Sequence, residues 1–202
     1  MKLSTLKTES IVNELFALYE KYGKKNSNGQ TTSQLEQVAQ AAALAEEEGY
    51  EDEVILAAFF HNIGSMCTNM EGENMDEDRL GAEYLRQHGF SERLIALVAS
   101  DMIAKRYLSY KYPEYYGQLS DADKVKLEQH GGPMSKEQAA NFEIDPDAEL
   151  FVRLSNWNDK AKAVKKYKLD IPHIKLLAMS HLYKIIDQYL PVSLVPKPKM
   201  QP

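Results

Sequence analysis

Cysteine and histidine are the side chains best suited to nucleophilic catalysis, and this sequence uses them sparingly. Cys67 is the single cysteine and lies six residues after His61. A Cys–His pair would rest on that proximity alone, and no Gly-x-Ser-x-Gly elbow supplies a serine nucleophile. One cysteine closes no intrachain disulfide and forms no Cys-x-x-Cys zinc pair. Glycine-rich nucleotide-binding loops are also absent. We therefore expect an inert thiol and no nucleophilic catalysis.

Lys105 is a second residue whose position suggests chemistry. It follows Asp101 by four residues, which puts both side chains on one face of a helix. An ion pair within that helix would explain the lysine without any ligand. Binding of a small anion by Lys105 remains the alternative.

Basic and aromatic residues alternate between Lys105 and Tyr116, as on surfaces that stack single-stranded nucleic acid. The overall charge opposes that reading, because 24 Lys+Arg stand against 30 Asp+Glu and give a net charge of −6. We expect no nucleic-acid partner. A separate basic run is most simply a solvated helix end; it comprises Lys160, Lys162, Lys165, Lys166 and Lys168.

The length of 202 residues favours one domain, over residues 1–190, followed by a proline-rich tail at 191–202. No basic-then-apolar leader opens the sequence, and no apolar run approaches the roughly 18 residues of a membrane span. The single cysteine suits a reducing compartment. We therefore expect a cytoplasmic protein without a membrane partner.

The apolar spacing and capping signals predict an all-α fold without strands. The third helix is apolar on nearly every side, so it should be central. A loop is expected over Thr68–Met75 and a break over Tyr110–Tyr116. The predicted helices are Ser10–Tyr22, Ser33–Glu48, Val54–Ile63, Leu80–Gly89, Ser91–Leu108, Ala122–Gln129, Lys136–Phe142, Asp147–Tyr167 and Pro172–Tyr189.

Five short strings occur in an informative order between about residues 29 and 165. They are Ser33-Gln-Leu-Glu-Gln37, Ala57-Ala-Phe-Phe-His-Asn-Ile-Gly64, Leu80-Gly-Ala-Glu-Tyr-Leu85, Ala104-Lys-Arg-Tyr-Leu108 and Gly131-Gly-Pro-Met134. Together they resemble the HD-domain proteins, specifically the mixed-valence di-iron oxygenases that cleave carbon–phosphorus bonds and are related to myo-inositol oxygenase. The resemblance implies an HD-domain helical bundle.

The same resemblance implies an iron-ligand set of His, His-Asp, His, His and Asp, and this sequence departs from it. Only one of the six ligands is kept, His61. The corresponding positions are Gln37, His61, Asn62, Glu77, Asp101 and Asn158, with Asp159 as the alternative last position. The family's lid and substrate positions correspond to Ser27, Gln30 and Ser65, and only Lys105, the family's phosphonate contact, is retained.

These replacements have chemical consequences. Asn62 has a neutral amide where a bridging carboxylate would hold two cations, and Gln37 is a poor ligand where an imidazole would bind iron. We therefore expect a catalytically degenerate homologue without a cofactor, binding a small anionic ligand or an unknown protein partner. The alternative is a hydrolase or oxygenase with one divalent ion, Mn²⁺ or Mg²⁺, on His61, Glu77 and Asp101.

Without a metal, the substituted positions should form a buried polar network. In that network a protonated His61 would pair with Glu77 or Asp101, and the amides of Gln37, Asn62 and Asn158 would complete the hydrogen bonds. Two buried carboxylates beside each other should also give one of them a raised pKa.

Overall fold

The computed structural model describes residues 2–23, 33–71, 76–163 and 170–189, and these residues form helices and short connections without a β-strand. The all-α prediction is confirmed, and the fold is that of an HD-domain bundle. The described helices are α1 (Lys2–Tyr22), α2 (Gln34–Glu47), α3 (Asp52–Phe60), α4 (Ile63–Glu71), α5 (Glu77–Gln87), α6 (Glu92–Val98), α7 (Asp101–Lys111), α8 (Pro113–Gln118), α9 (Asp121–Gln129), α10 (Lys136–Glu143), α11 (Ala148–Ala163) and α12 (Ile171–Tyr189).

Helix α3 lies at the centre of the bundle, as the sequence predicts. Every residue from Val54 to Phe60 is buried, and the helix packs against α2, α6, α11 and α12. The rings of Tyr19 and Phe59 lie 4.9 Å apart, and the Tyr19 hydroxyl donates to the Phe59 carbonyl at 3.3 Å. The helix ends at Phe60 rather than Ile63, which places His61 at its C-cap beside a cavity.

Helices α4 and α5 cross at two glycines. A Cβ on Gly64 would lie 1.8 Å from the carbonyl oxygen of Glu77, and a Cβ on Gly81 would lie 3.0 Å from the Gly64 nitrogen. Only glycine permits this approach of the two backbones. The crossing therefore fixes Glu77 next to the segment that carries His61.

The loop predicted over Thr68–Met75 is wrong in its first part, because α4 continues to Glu71. The Thr68 hydroxyl donates to the Ser65 carbonyl at 2.8 Å, so this polar residue is satisfied inside the helix. Residues 72–75 lie outside the described part of the chain.

The single helix predicted over Ser91–Leu108 is also wrong. The chain forms α6 and α7, which are separated at Ala99 and Ser100. The Ser100 hydroxyl donates to the Leu97 carbonyl at 2.7 Å, a local bond that competes with helix continuation. As a result Asp101 begins a helix, where a negative charge is favourable.

The predicted break over Tyr110–Tyr116 contains the short helix α8, which begins at Pro113. A small apolar cluster of Met102, Leu119 and Leu127 holds α7, α9 and the segment between α8 and α9 together, apart from the main core. Tyr115 and Tyr116 pack against that cluster.

No helix within the described residues is long and apolar enough to cross a membrane. The tail predicted at 191–202 lies outside those residues, as do Lys165, Lys166 and Lys168.

Candidate functional site

A cavity of about 820 Å³ lies between the start of α4, the start of α5, the start of α7 and one side of α9. His61 and Asn62 line it from the α3–α4 connection, and Glu77 and Asp101 line it from the first residues of α5 and α7. The structure therefore brings four of the six predicted ligand positions to one cavity. Gln37 in α2 and Asn158 in α11 are buried but do not line it.

The carboxylates of this cavity sit at helix starts. Glu77 and Asp78 lie in the first turn of α5, Asp101 in the first turn of α7 and Asp123 in the first turn of α9. The positive end of each helix dipole stabilises a negative charge there. Local helix chemistry thus accounts for several acidic side chains facing one space.

Lys105 forms a buried bridge between two of these carboxylates. Its Nζ lies 2.8 Å from Oδ2 of Asp101 and 3.1 Å from Oδ1 of Asp123, and only 4% of its side chain is exposed. The predicted ion pair within α7 is confirmed. Burial alone would lower the pKa of Lys105, but the two carboxylates raise it, so the ammonium stays charged.

Asp101 is engaged through both carboxylate oxygens. Oδ2 accepts from Lys105, and Oδ1 accepts from the Ser155 hydroxyl at 2.9 Å. Burial alone would raise the pKa of Asp101, but Lys105 and, more weakly, Lys162 and His61 bring it down to about 2. The expected rise in carboxyl pKa does not occur at Asp101, because this residue has its own buried cation.

A raised carboxyl pKa occurs instead at Asp78, a residue outside the predicted ligand positions. Burial, followed by the nearby charges of Asp101 and Asp76, raises the pKa of Asp78 to about 6. Two neighbouring carboxylates have partners in α9 or at its C-cap, His130. Glu77 pairs with Lys126, and Asp76 lies 3.4 Å from Nε2 of His130.

His61 is not the protonated centre that the sequence predicts. Its Nδ1 lies 2.8 Å from the carbonyl oxygen of Ala58, one turn earlier. Burial lowers the pKa of His61, although the Ala58 carbonyl and the charge of Asp101 oppose the change. The imidazole is therefore neutral, with Nδ1–H donating to Ala58, and the predicted pairing with Glu77 or Asp101 is wrong.

The predicted hydrogen-bond network is also incomplete. The side-chain oxygens of Asn62 and Asn158 are buried and have no hydrogen-bond partner among the described residues. Asn158 is only 4% exposed. Buried acceptors of this kind normally have partners.

The residues present do not fit two bridged irons. Asn62 offers a neutral amide, the Asp101 carboxylate is taken up by Lys105 and Ser155, and Asn158 lies outside the cavity lining. In the described ranges no three His, Cys, Asp or Glu side chains come together in a way that could hold a metal ion.

The remaining predicted positions are distributed as follows. Asp159 interacts with Tyr115, whose hydroxyl donates at 3.2 Å, and with Lys162 at 3.0 Å, and it does not line the cavity. Ser65 does line the cavity. Ser27 and Gln30 lie outside the described residues. Cys67 is buried, which agrees with an inert thiol.

Several cavity residues were missed at the sequence level. They are Asp76, Asp78, Asp123, Lys126, Gln129 and His130. Two local signals were available, because Asp76 caps α5 and Ser120 caps α9 three residues before Asp123. Nothing local indicated that α9 would lie opposite α5.

Comparison with known proteins identifies relatives that cover most of the chain. No protein-family model matches. The chain is 33% identical over 178 residues to the uncharacterized protein L432 of Acanthamoeba polyphaga mimivirus, covering 85% of this chain and 81% of that protein. It is 31% identical over 194 residues to the [1-hydroxy-2-(trimethylamino)ethyl]phosphonate dioxygenase (glycine-betaine-forming) of Leisingera caerulea, covering 93% and 96%.

A third relative is the hydroxymethylphosphonate dioxygenase of Gimesia maris, which is 30% identical over 158 residues, covering 75% of this chain and 78% of that enzyme. Two of the three relatives are thus named as phosphonate dioxygenases. The chain belongs to the HD-domain oxygenase family that contains these enzymes.

Proposed function

We propose that this protein is a catalytically degenerate member of the family, which has lost the di-iron centre and acts by binding a molecule in the retained cavity. The observation that carries the proposal is the pairing of Asp101 with Lys105 at 2.8 Å. The Lys105 ammonium neutralises the Asp101 carboxylate, and position 101 is where the family resemblance places a metal ligand. Asn62 adds to this argument, since its neutral side chain cannot bridge two cations.

The cavity remains even though its ligand set has changed. Its volume of about 820 Å³ falls in the range of small-molecule sites. Polar groups from the starts of α5 and α7 and from α9 converge on it. Binding rather than redox chemistry is therefore the function that this arrangement supports best, with a small ligand favoured over a protein partner.

An anionic ligand at Lys105 is the expectation from the sequence. Such an anion would compete with Asp101 and Asp123 for an ammonium that is already 96% buried. It would also enter a space lined by more carboxylates than cations. The retained Lys105 supports an anionic ligand, whereas the ion pairs of Lys105 with Asp101 and Asp123 oppose one.

Restoration of the family's ligands tests the loss of the iron centre. The combined variant carries Gln37→His, Asn62→Asp, Glu77→His, Asp101→His and Asn158→Asp. If the proposal is right, the folded variant takes up iron and the natural chain does not. Equal iron uptake by both proteins would overturn the proposal.

The second candidate is an enzyme that uses one divalent ion, Mn²⁺ or Mg²⁺. His61, Glu77 and Asp101 share the cavity wall, which favours it, whereas their separation in the described structure, where no three such side chains come together as a metal site, opposes it. Asp101→Ala should then lower the affinity for Mn²⁺ by about tenfold or more. An unchanged affinity, or no Mn²⁺ binding at all, would remove this candidate.

A further inference from the structure

One face of α9 forms a wall of the cavity. The cavity-lining residues of this helix and its C-cap are Asp123, Lys126, Gln129 and His130, whose spacing puts them on one side of a helix. The start of α5 lines the opposite side. The width of the cavity therefore depends on how far α9 lies from α5.

A first row of side chains fixes α9 to α7 by buried contacts. Leu127 is fully buried and packs with Met102 of α7 in the small apolar cluster that is separate from the main core. Asp123 lies one turn before Leu127, and its Oδ1 lies 3.1 Å from Nζ of the buried Lys105 of α7. Among the described residues of α8 and α9, Leu127 is the only buried one. The apolar anchoring of these two helices is thus small and lies on α7.

A second row attaches α9 to α5 through exposed ion pairs. Lys126 pairs with Glu77, and Nε2 of His130 lies 3.4 Å from Oδ2 of Asp76. Between 38% and 49% of each of these four side chains is exposed. Ion pairs that are open to water stabilise only weakly. Among the described helices, α7 packs extensively against α8 and against α9, whereas α5 and α9 share no such packing.

The segment of α8 and α9 is bounded by two points where the backbone changes direction. At its start, α7 ends at Tyr112, because the residue before a proline disfavours the helical conformation. At its end, Gly131 and Gly132 have φ values of 98° and 69°, which glycine adopts without strain. Directly afterwards Arg106 of α7 holds the chain again, since its Nε donates to the Gly132 carbonyl at 2.8 Å. Residues at the ends of helices are the ones that absorb hinge motion.

We propose that α8 and α9, residues 113–130, form a lid that rocks on α7 and parts α9 from α5, so that a small molecule enters the cavity. The buried row of Asp123 and Leu127 is the pivot, and the pair of Lys126 with Glu77 is the latch. This inference rests on the proposed function, because it takes the retained cavity to be the binding site.

Removal of the latch tests the lid. In the double variant Glu77→Gln with Lys126→Met the pair is lost, while the net charge of the cavity wall stays the same. The reporter is a thiol introduced by Thr68→Cys, because Thr68 lines the cavity from α4. Iodoacetamide modifies this thiol at a rate that depends on access to the cavity. The natural Cys67 is buried and gives the background.

The double variant should raise the rate of modification by about two- to fivefold, as expected for the loss of one exposed ion pair. Lys124→Met with Glu137→Gln is the matched control, which removes the same two charges outside the cavity lining. Nζ of Lys124 contacts only the lid itself among the described residues, over the Tyr116 ring and 3.5 Å from the Gly117 carbonyl oxygen. The control should leave the rate unchanged. Equal acceleration by both double variants would overturn the latch.

Distances between spin labels give a second readout that depends on no reagent. Nitroxides are attached through Glu83→Cys on α5 and Val125→Cys on α9, two exposed positions. Loss of the latch should add a population at longer distance. Labels on Glu83→Cys and Glu137→Cys, which join α5 to α10, should report no change. Unchanged distances between α5 and α9 would overturn the lid, and longer distances without faster modification would overturn its role in entry.

Neither readout needs a ligand or a metal, so a lid that fails these tests leaves the proposed function standing. Iron content measured on the natural chain tests that function separately. Two irons per chain would contradict the proposed loss of the metal centre, whatever the motion of α9.

Discussion

The ammonium of Lys105 lies 2.8 Å from the carboxylate of Asp101, one turn earlier on α7, and 96% of the lysine side chain is buried. In the resemblance to di-iron oxygenases these two positions are a metal ligand and a phosphonate contact. Here they neutralise each other. The aspartate at position 101 thus bears on both the metal chemistry and the anion chemistry that the resemblance implies for the cavity.

Replacement of this lysine should destabilise the fold. Lys105→Met keeps the length of the side chain but leaves Asp101 and Asp123 without their shared cation. We expect the free energy of unfolding to fall by about 2–3 kcal/mol, because two partly buried carboxylates lose their partner. Urea denaturation measures the change. Lys136→Met, at an exposed lysine on α10, is the control, and a similar small loss in both variants would contradict the bridge.

The ion pairs of Lys105 with Asp101 and Asp123 should also determine how the free energy of unfolding changes at acid pH. The pKa of Asp101 is about 2 in the fold against an ordinary 3.8, so its contribution is complete above about pH 4 and is lost as the pH falls toward 2. Without Lys105 this depression of the pKa should largely vanish. Urea denaturation from pH 5 to 2 should therefore show a shallower acid decline in Lys105→Met than in the natural chain. An equal acid decline in Lys105→Met and the natural chain would contradict the role of Asp101 in acid stability.

His181 should make the protein less stable below neutral pH. Its Nε2 accepts a hydrogen bond from the backbone N–H of Ser91 at 3.3 Å, and its ring stacks on Phe90. Burial lowers the pKa of His181, although the charges of Glu53 and Asp52 oppose the effect of burial and that of Lys184 adds to it. A neutral buried histidine contributes stability above its unfolded pKa of about 6.5, and this is lost as the pH falls through and below that value.

Thermal unfolding between pH 7.5 and 5 tests this expectation. His181→Gln should flatten the decline in melting temperature on the acid side. His173→Gln is the control, because His173 lies on the same helix and contacts Glu46 at the surface. If both variants decline as the natural chain does, His181 is not the responsible group.

The crossing of α4 and α5 should tolerate no side chain at Gly64. A Cβ there would lie 1.8 Å from the Glu77 carbonyl oxygen, so Gly64→Ala must push the two helices apart. We expect a loss of about 3 kcal/mol in the free energy of unfolding. Gly117→Ala in α8 meets nothing within 4 Å and should be neutral or stabilising by up to about 1 kcal/mol. Equal effects in chemical denaturation would contradict the crossing.

Much of the fold could be predicted from local patterns. The all-apolar run of α3 identified the central helix, and the Ala- and Glu-rich stretch from Ser33 identified α2. The structure adds a capping box at that helix start, in which the Ser33 backbone N–H donates to Glu36 at 2.8 Å. The break at Ser100 was missed because apolar spacing continues through it. A single serine hydroxyl bonded to Leu97 decides that boundary.

The candidate site was predictable only in part. The spacing of Asp101 and Lys105 gave their ion pair, since four residues make one helical turn. The partners from α9, Asp123 and Lys126, depend on contacts between distant segments, and no local pattern encodes them. The predicted protonation of His61 failed for the same reason, because burial by distant segments lowers the pKa of His61 more than the Ala58 carbonyl and the charge of Asp101 raise it.

The metal content of the purified protein tests the central claim most directly. The full chain is purified without added metal, and a second sample is offered Fe²⁺ and Mn²⁺ and then desalted before elemental analysis. The account predicts far less than one metal ion per chain in both samples. Two irons per chain, retained after desalting and lost in Asp101→Ala, would contradict it.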